Sequence, residues 1–203
     1  MSTRISGGNE RGRTLRAPKS GLRPTTEKVR VAIFSMLGES VENARVLDLY
    51  AGTGAMGLEA LSRGAAWADF VEGDAKACNT INVNIRSLGY EDRARVIRVK
   101  VEKATGSQTI LHGSSTGGRA SMGGREGPRY DLVFIDPPYD DDPWDALLSG
   151  LSDGLLLSTD ATVVAEYGSA RTLAASYGRL SQSKTRRYGA SGVSIFDMAP
   201  AHG

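Results

Sequence analysis

Arg45-Val46-Leu47-Asp48-Leu49-Tyr50-Ala51-Gly52-Thr53-Gly54-Ala55-Met56-Gly57 decides how the rest of the chain is read. Residues 45–50 are a mostly apolar run with the length of a buried strand. The turn at 52–57 carries glycines, which let backbone approach a ligand and take positive φ. The residues after it, to about Gly64, read as a helix. This order aims the helix N-terminus at the crevice beyond the strand ends, where α/β sheets bind ligands. Taken alone, Gly-x-Gly-x-x-Gly describes a dinucleotide dehydrogenase equally well.

Two carboxylates narrow the choice. Asp48 stands at the strand end just before the glycines. There it can hold the positively charged amino-acid end of S-adenosylmethionine, directly or through water, and it would repel a phosphate-bearing cofactor. Phe70-Val71-Glu72 closes a second strand, and Glu72 can accept hydrogen bonds from both ribose hydroxyls. The plainer reading makes Asp48 a helix cap or turn residue and Glu72 a solvent-facing strand end. The candidate cofactor contacts are Asp48, Tyr50, Ala51, Gly52, Thr53, Gly54, Glu72, Gly73, Asp74, Val101 and Glu102.

Outward from this motif, strands and helices alternate. Strands are expected at 66–72, 94–99, 130–136 and 161–167, and a helix at about 143–152. Cys78, Ile81, Ile85 and Leu88 form a helical stripe. The end reads as a hairpin of 176–188 and 193–198, turning through Gly189-Ala190-Ser191-Gly192. The expected fold class is α/β and Rossmann-like: a mostly parallel seven-stranded sheet, helices on both faces, and a C-terminal antiparallel hairpin.

The 130–136 strand runs into Asp136-Pro137-Pro138-Tyr139. Two prolines end it abruptly and stiffen the turn. An exocyclic amino group on a base is a poor nucleophile, because its lone pair is delocalised into the ring. Asp136 can accept one of its N–H groups and the Pro137 carbonyl the other. The nitrogen then turns toward tetrahedral geometry, with its lone pair aimed at a sulfonium methyl; positioning and fixed dipoles supply the rate. Tyr139 offers a face on which the base can stack, and the base must be unpaired or flipped to reach it. The competing reading is a strand-ending turn with a stacked tyrosine. His112, His202 and Cys78 are read as structural or incidental, and no metal is called for.

Composition agrees. Of the 203 residues, 40% are hydrophobic and 24% charged, the balance of a globular protein with one core. One cysteine excludes an internal disulfide and fits a cytoplasmic location. No apolar run approaches a membrane span, so no membrane partner is expected. A monomer is expected. Charge is uneven: residues 1–30 hold eight basic and two acidic side chains, net +6, leaving −4 on the remainder. A basic arm, 1–24, on an acidic body suggests a polyanion partner. Its pieces around residues 3–5 and 13–15 can pair as a loose hairpin, and Pro24 can open the helix that follows. Docking on RNA is favoured over packing on the body, so removing the arm should leave cofactor affinity unchanged. Residues 113–128, rich in Gly and Ser, read as a flexible spacer within a catalytic domain at 25–203.

With these motifs in place, the chain resembles the RsmD-type 16S rRNA guanine-N2 methyltransferases. The resemblance covers most of the chain. It is carried by Gly7-Gly8, Arg11-Gly12-Arg13, Gly21-Leu22-Arg23-Pro24-Thr25-Thr26, Val29-Arg30, Phe34, Asp48 to Gly57, Leu58 to Ala65, and Asp136 to Tyr139. It implies methyl transfer from S-adenosylmethionine to N2 of guanine 966 in 16S rRNA of the assembled or assembling small ribosomal subunit. It also implies catalytic-loop roles for Asp136, Pro137, Pro138 and Tyr139, and RNA contacts at Arg11, Arg13, Arg23, Thr25 and Arg30. Lys100 stands where such enzymes place Asp or Asn to read the adenine, so Glu102 or the Val101 backbone is expected to serve. The alternatives are a DNA adenine-N6 methyltransferase, for which the chain lacks room for a target-recognition domain, and a non-catalytic RNA-binding module. A protein-glutamine methyltransferase would carry Asn-Pro-Pro-Tyr instead.

Overall fold

The computed structural model describes residues 3–17, 26–101, 129–138, 141–152 and 156–199. The expectations for Arg23, Pro24, Thr25, Glu102, His112, the 113–128 segment, Tyr139 and His202 fall outside these residues. In chain order the elements are β1 (Thr3–Arg4), β2 (Thr14–Leu15), α1 (Glu27–Leu37), β3 (Arg45–Leu49), α2 (Ala55–Ser62), β4 (Trp67–Glu72), α3 (Ala75–Leu88), β5 (Ala94–Arg98), β6 (Tyr130–Ile135), α4 (Trp144–Ser152), β7 (Leu157–Gly168), β8 (Ser176–Tyr177), β9 (Leu180–Tyr188) and β10 (Ser191–Met198).

The main sheet runs β5-β4-β3-β6-β7-β10-β9-β8. Its first five strands are parallel. The last three alternate in direction. Among the described residues the main sheet has eight strands rather than the seven expected. The additional one, β8, is two residues long and pairs only with the start of β9. Too short to carry a period, it leaves no signal in the sequence.

One core cluster joins α1, α2 and α3 to one face of the sheet through Ile33, Phe34, Leu58, Leu61, Ile81 and Phe134. A second places Trp144, Leu147 and Leu148 of α4 against Leu49, Val133 and Val163 on the other face. Helix α1 starts at Glu27, and the Thr26 hydroxyl accepts from the Val29 N–H at 3.3 Å. Thr26 therefore caps it, by the usual N-cap bond. Asp74 caps α3 by accepting from Ala77 at 2.8 Å.

The N-terminal segment packs on the body. β1 pairs β2 antiparallel. Ile5 and Leu15 are buried in the α1–α3 core. The Ser6 amide and hydroxyl both donate to the Glu59 carboxylate, at 2.8 and 2.7 Å. The Asn9 amide donates to the Ser62 carbonyl, and the Glu10 amide to the Ser62 hydroxyl. Arg30, read above as an RNA contact, is 0% exposed. Its Nε lies 3.2 Å from Glu59 Oε2, and Nη2 donates to the Arg4 carbonyl. It faces inward because α1 turns its 29, 30, 33, 34, 37 stripe to the core. An arginine there has to find a carboxylate rather than a phosphate.

Candidate active site

The chain leaves β3 toward β4 on one side and returns to β6 on the other, so the strand order reverses between β3 and β6. That reversal opens a crevice at the strand ends. The β3–β6 ladder ends at Leu49↔Ile135, so Tyr50 and Asp136 leave neighbouring strands abreast. The cofactor turn and the Asp136-Pro137-Pro138 turn are thus adjacent, although 86 residues separate Tyr50 from Asp136.

The turn after β3 is tightly built. Tyr50 has φ 58, a left-handed conformation unusual for a bulky residue and found at functional sites. Gly54 has φ 76 and stands at the start of α2. A Cβ on Gly57 would lie 2.4 Å from a Phe70 ring carbon, so only glycine lets α2 sit this close to β4. The Gly57 N–H donates to Asp48 Oδ2 at 2.9 Å. Asp48 is 3% exposed. Burial pushes its carboxyl well above the ordinary 3.8, and the nearby Asp136 and Glu72 push the same way against the Gly57 bond. A buried carboxylate surrounded by like charge favours a cationic ligand.

Glu72 joins two loops: Oε2 accepts from Gly52 N–H at 2.9 Å and Oε1 from Asp74 N–H at 2.8 Å. Beside it lies a cleft of about 550 Å³ lined by Tyr50, Glu72, Gly73, Lys100, Val101 and Asp141. Ala51, Thr53 and Gly54 are buried and Gly52 half-buried, so they form the wall behind the cleft rather than its surface. Cys78 is buried, and its Sγ donates to the Glu72 carbonyl at 3.4 Å. Asp136 is half-buried, Pro137 buried and Pro138 exposed. A second hollow of about 240 Å³ is lined by Pro137, Pro138, Trp144, Tyr167 and Arg171, and shares Asp141 and Asp142 with the first.

Three participants are missing from the sequence reading. Asp142 pairs with Arg171 at the junction of the two hollows. Asn84, 1% exposed on α3, accepts from the Arg16 amide at 2.8 Å and donates to the carbonyls of Arg16 and Thr53, each at 3.0 Å. Glu59 gathers Ser6, Arg30 and Arg63. Asn84 did leave a signal: a polar residue on the apolar face of a helix, between Ile81 and Ile85, must find partners inside. Of the RNA candidates, Arg11 and Arg13 are exposed. Arg13 pairs with Glu10 and donates to the Ser87 carbonyl. That position is at the C-terminal ends of α2 and α3, away from the crevice.

Parallel sheet, strand-order reversal, glycine turn and paired carboxylates define a class I S-adenosylmethionine-dependent methyltransferase. Within that class the chain belongs to the RsmD-type methyltransferase family: residues 3–197 match the family model described as Conserved hypothetical protein 95. It is 34% identical over 194 residues to a Bacillus subtilis (strain 168) protein named "Putative rRNA methyltransferase YlbH", covering 95% of this chain and 97% of that one. It is 34% identical over 164 residues to Ribosomal RNA small subunit methyltransferase D of Escherichia coli (strain K12), covering 80% and 73%. The solved yhhF protein of Escherichia coli superposes with a TM-score of 0.80 at 28% identity, covering 98% and 99%. An RNA methyltransferase from Salinibacter ruber, solved with S-adenosyl-L-homocysteine, shares the fold at a TM-score of 0.62 and 16% identity, covering 89% and 96%.

The residues fit that cofactor. Buried Asp48 suits an ammonium, Glu72 suits hydroxyls, and the cleft beside Val101 has room for a ring. Asp48 and Glu72 together disfavour a pyrophosphate.

Proposed function

We propose that the protein methylates rRNA, transferring the methyl group of S-adenosylmethionine to the exocyclic N2 of a guanine, guanine 966 of 16S rRNA, in the assembled or assembling small subunit. The observation that carries this reading is the adjacency of the Tyr50 and Asp136 strand ends, which sets an amino-group acceptor beside the cofactor cleft. Names of the relatives support RNA as the substrate class. The protein acts as a monomer, with Arg11 as an outer RNA contact.

S-adenosylmethionine, when bound, supplies an electrophilic methyl on a sulfonium. Asp136 accepts one amino N–H of the base and the Pro137 carbonyl accepts the other. This holds the nitrogen lone pair toward the methyl, and the departing amino proton leaves along the Asp136 hydrogen bond. Asp136 is half-buried and Pro137 buried, and fixed dipoles act more strongly the less water surrounds them. The hollow between Pro137 and Trp144 receives the ring.

Tritium transfer from labelled S-adenosylmethionine to small subunits, bare 16S rRNA, DNA and protein tests the substrate. Incorporation into guanine N2 of the subunit is expected; incorporation only into DNA or protein overturns the reading. Asp136→Ala should lower the transfer rate about 10²–10³-fold while S-adenosylhomocysteine still binds in calorimetry. Wild-type turnover in that variant would make the turn structural.

A further inference from the structure

Strand β9 has an unusual burial pattern: Ser183 to Arg187 are exposed on both faces of the sheet. Its inner edge pairs with β10 along its length, with a register shift at Ser183 between the Lys184–Ile195 and Gln182–Phe196 rungs. Its outer edge meets β8 only at Leu180 and Ser181, and the Gln182 amide goes to the Ala175 carbonyl. Beyond that, no strand among the described residues covers it. Lys184, Arg186 and Arg187 stand on this open stretch. Lys184 Nζ donates to the Met36 carbonyl and Arg186 to the Thr185 carbonyl. Among the described residues no carboxylate pairs with any of the three.

Register places them relative to the catalytic turn. Ile135 lies opposite Ala165, Ala165 opposite Ser194, and Ser194 opposite Thr185. The next rungs are Glu166–Val193–Arg186 and Tyr167–Gly192–Arg187. Arg186 and Arg187 are therefore level with the turn that begins at Asp136, three strand spacings away, roughly 14 Å. Alternation sends their side chains to opposite faces, so positive charge wraps the edge. The Ser169 amide donates to the Ala190 carbonyl at 2.8 Å, joining the β9–β10 turn to the loop that carries Arg171 and lines the base-sized hollow.

We propose that Arg186 and Arg187, with Lys184, form the surface that grips the phosphate backbone of the RNA strand whose base enters the hollow; this rests on the RNA reading above. Phosphate contacts fix position and carry no sequence information. Their place is beside the reacting base, at a distance the strand can span. The competing role for cations on an open edge is to prevent edge-to-edge pairing. Glutamates would fill that role equally well, which separates the two ideas.

The experiment uses the 203-residue protein and small ribosomal subunits carrying 16S rRNA, with the double variants R186E/R187E and R186Q/R187Q. Both should bind S-adenosylhomocysteine within about twofold of wild type. The glutamate pair should raise the RNA KM at least about tenfold. The glutamine pair should flatten the dependence of log affinity on log salt by about 1.4–1.8, two phosphate contacts at 0.7–0.9 each. If wild type methylates RNA and both variants match its KM and salt slope, the surface assignment falls and the residues guard the edge. If wild type neither binds nor methylates RNA, the RNA reading falls and takes the surface with it.

Discussion

Residues 3–30 and strand β9 are both rich in arginine, and the fold uses the two sets in opposite ways. In the first, Arg30 is sealed against Glu59 and Arg13 leans on Glu10 and the end of α3. In the second, Lys184, Arg186 and Arg187 are exposed, and among the described residues no carboxylate pairs with them. By charge alone the first region is the stronger candidate for a polyanion partner. Its described residues, 3–17 and 26–30, form a clasp between α1, α2 and α3. On the proposed reading, what would place a cation for binding is the register that carries it toward the chemistry and the lack of a carboxylate partner among the described residues, not the net charge of its segment.

The sharpest way to break this comparison is Arg30→Ala. It takes from Glu59 its fully buried cationic partner, leaving Arg63 and Ser6, and breaking a buried pair costs up to about 3–5 kcal/mol. The melting temperature should fall by about 6–20 °C. A change inside scan error would mean that Arg30 is free to act elsewhere.

Asn84→Ala comes next. It removes the bond to the Thr53 carbonyl and both bonds to the Arg16 backbone, and unsatisfied buried groups of this kind cost about 1–3 kcal/mol. Calorimetry should show weaker S-adenosylhomocysteine binding alongside the lower melting temperature. If affinity is untouched, the hairpin and the cofactor turn are independent, as expected from the sequence for a free arm.

Asp48 gives the smallest effect and concerns a charge turned inward at the site. Its folded carboxyl titrates well above 3.8. As pH falls through that raised value the group is neutralised, and attraction for an ammonium is lost. S-adenosylhomocysteine affinity should therefore rise with pH across a window above 3.8, by at most about tenfold per pH unit. The stability contribution runs the other way: it is present at low pH and lost as pH rises through the same value. Asp48→Asn should abolish this part of the pH dependence, and a profile identical in wild type and Asn variant would show that Asp48 does not meet the ligand.

Most of the central sheet was legible because its strands are short apolar runs bounded by glycine and proline. Both turns at the crevice were legible because their chemistry demands particular residues in sequence. Three things were hidden. The start of β7 lies four residues before the expected 161, since Thr159 and Asp160 break the apolar pattern. Arg30 and Glu59 lie on different helices, and no local pattern pairs residues 29 apart. The exposed end of β9 looks like an ordinary polar hairpin arm until the ladder shows which rung it occupies.

Asp48, Glu72 and Asp136 lie close enough for each of the other two to raise the Asp48 carboxyl. Glu72 and Asp136 thus set negative charge beside the crevice, opposed by Lys100 on the cleft lining and Arg171 on the neighbouring hollow, and a phosphodiester would be repelled on the carboxylate side. On the proposed RNA reading, the neutral ring would enter and the backbone stay outside, so the substrate would reach in by one extended nucleotide rather than as a rigid duplex.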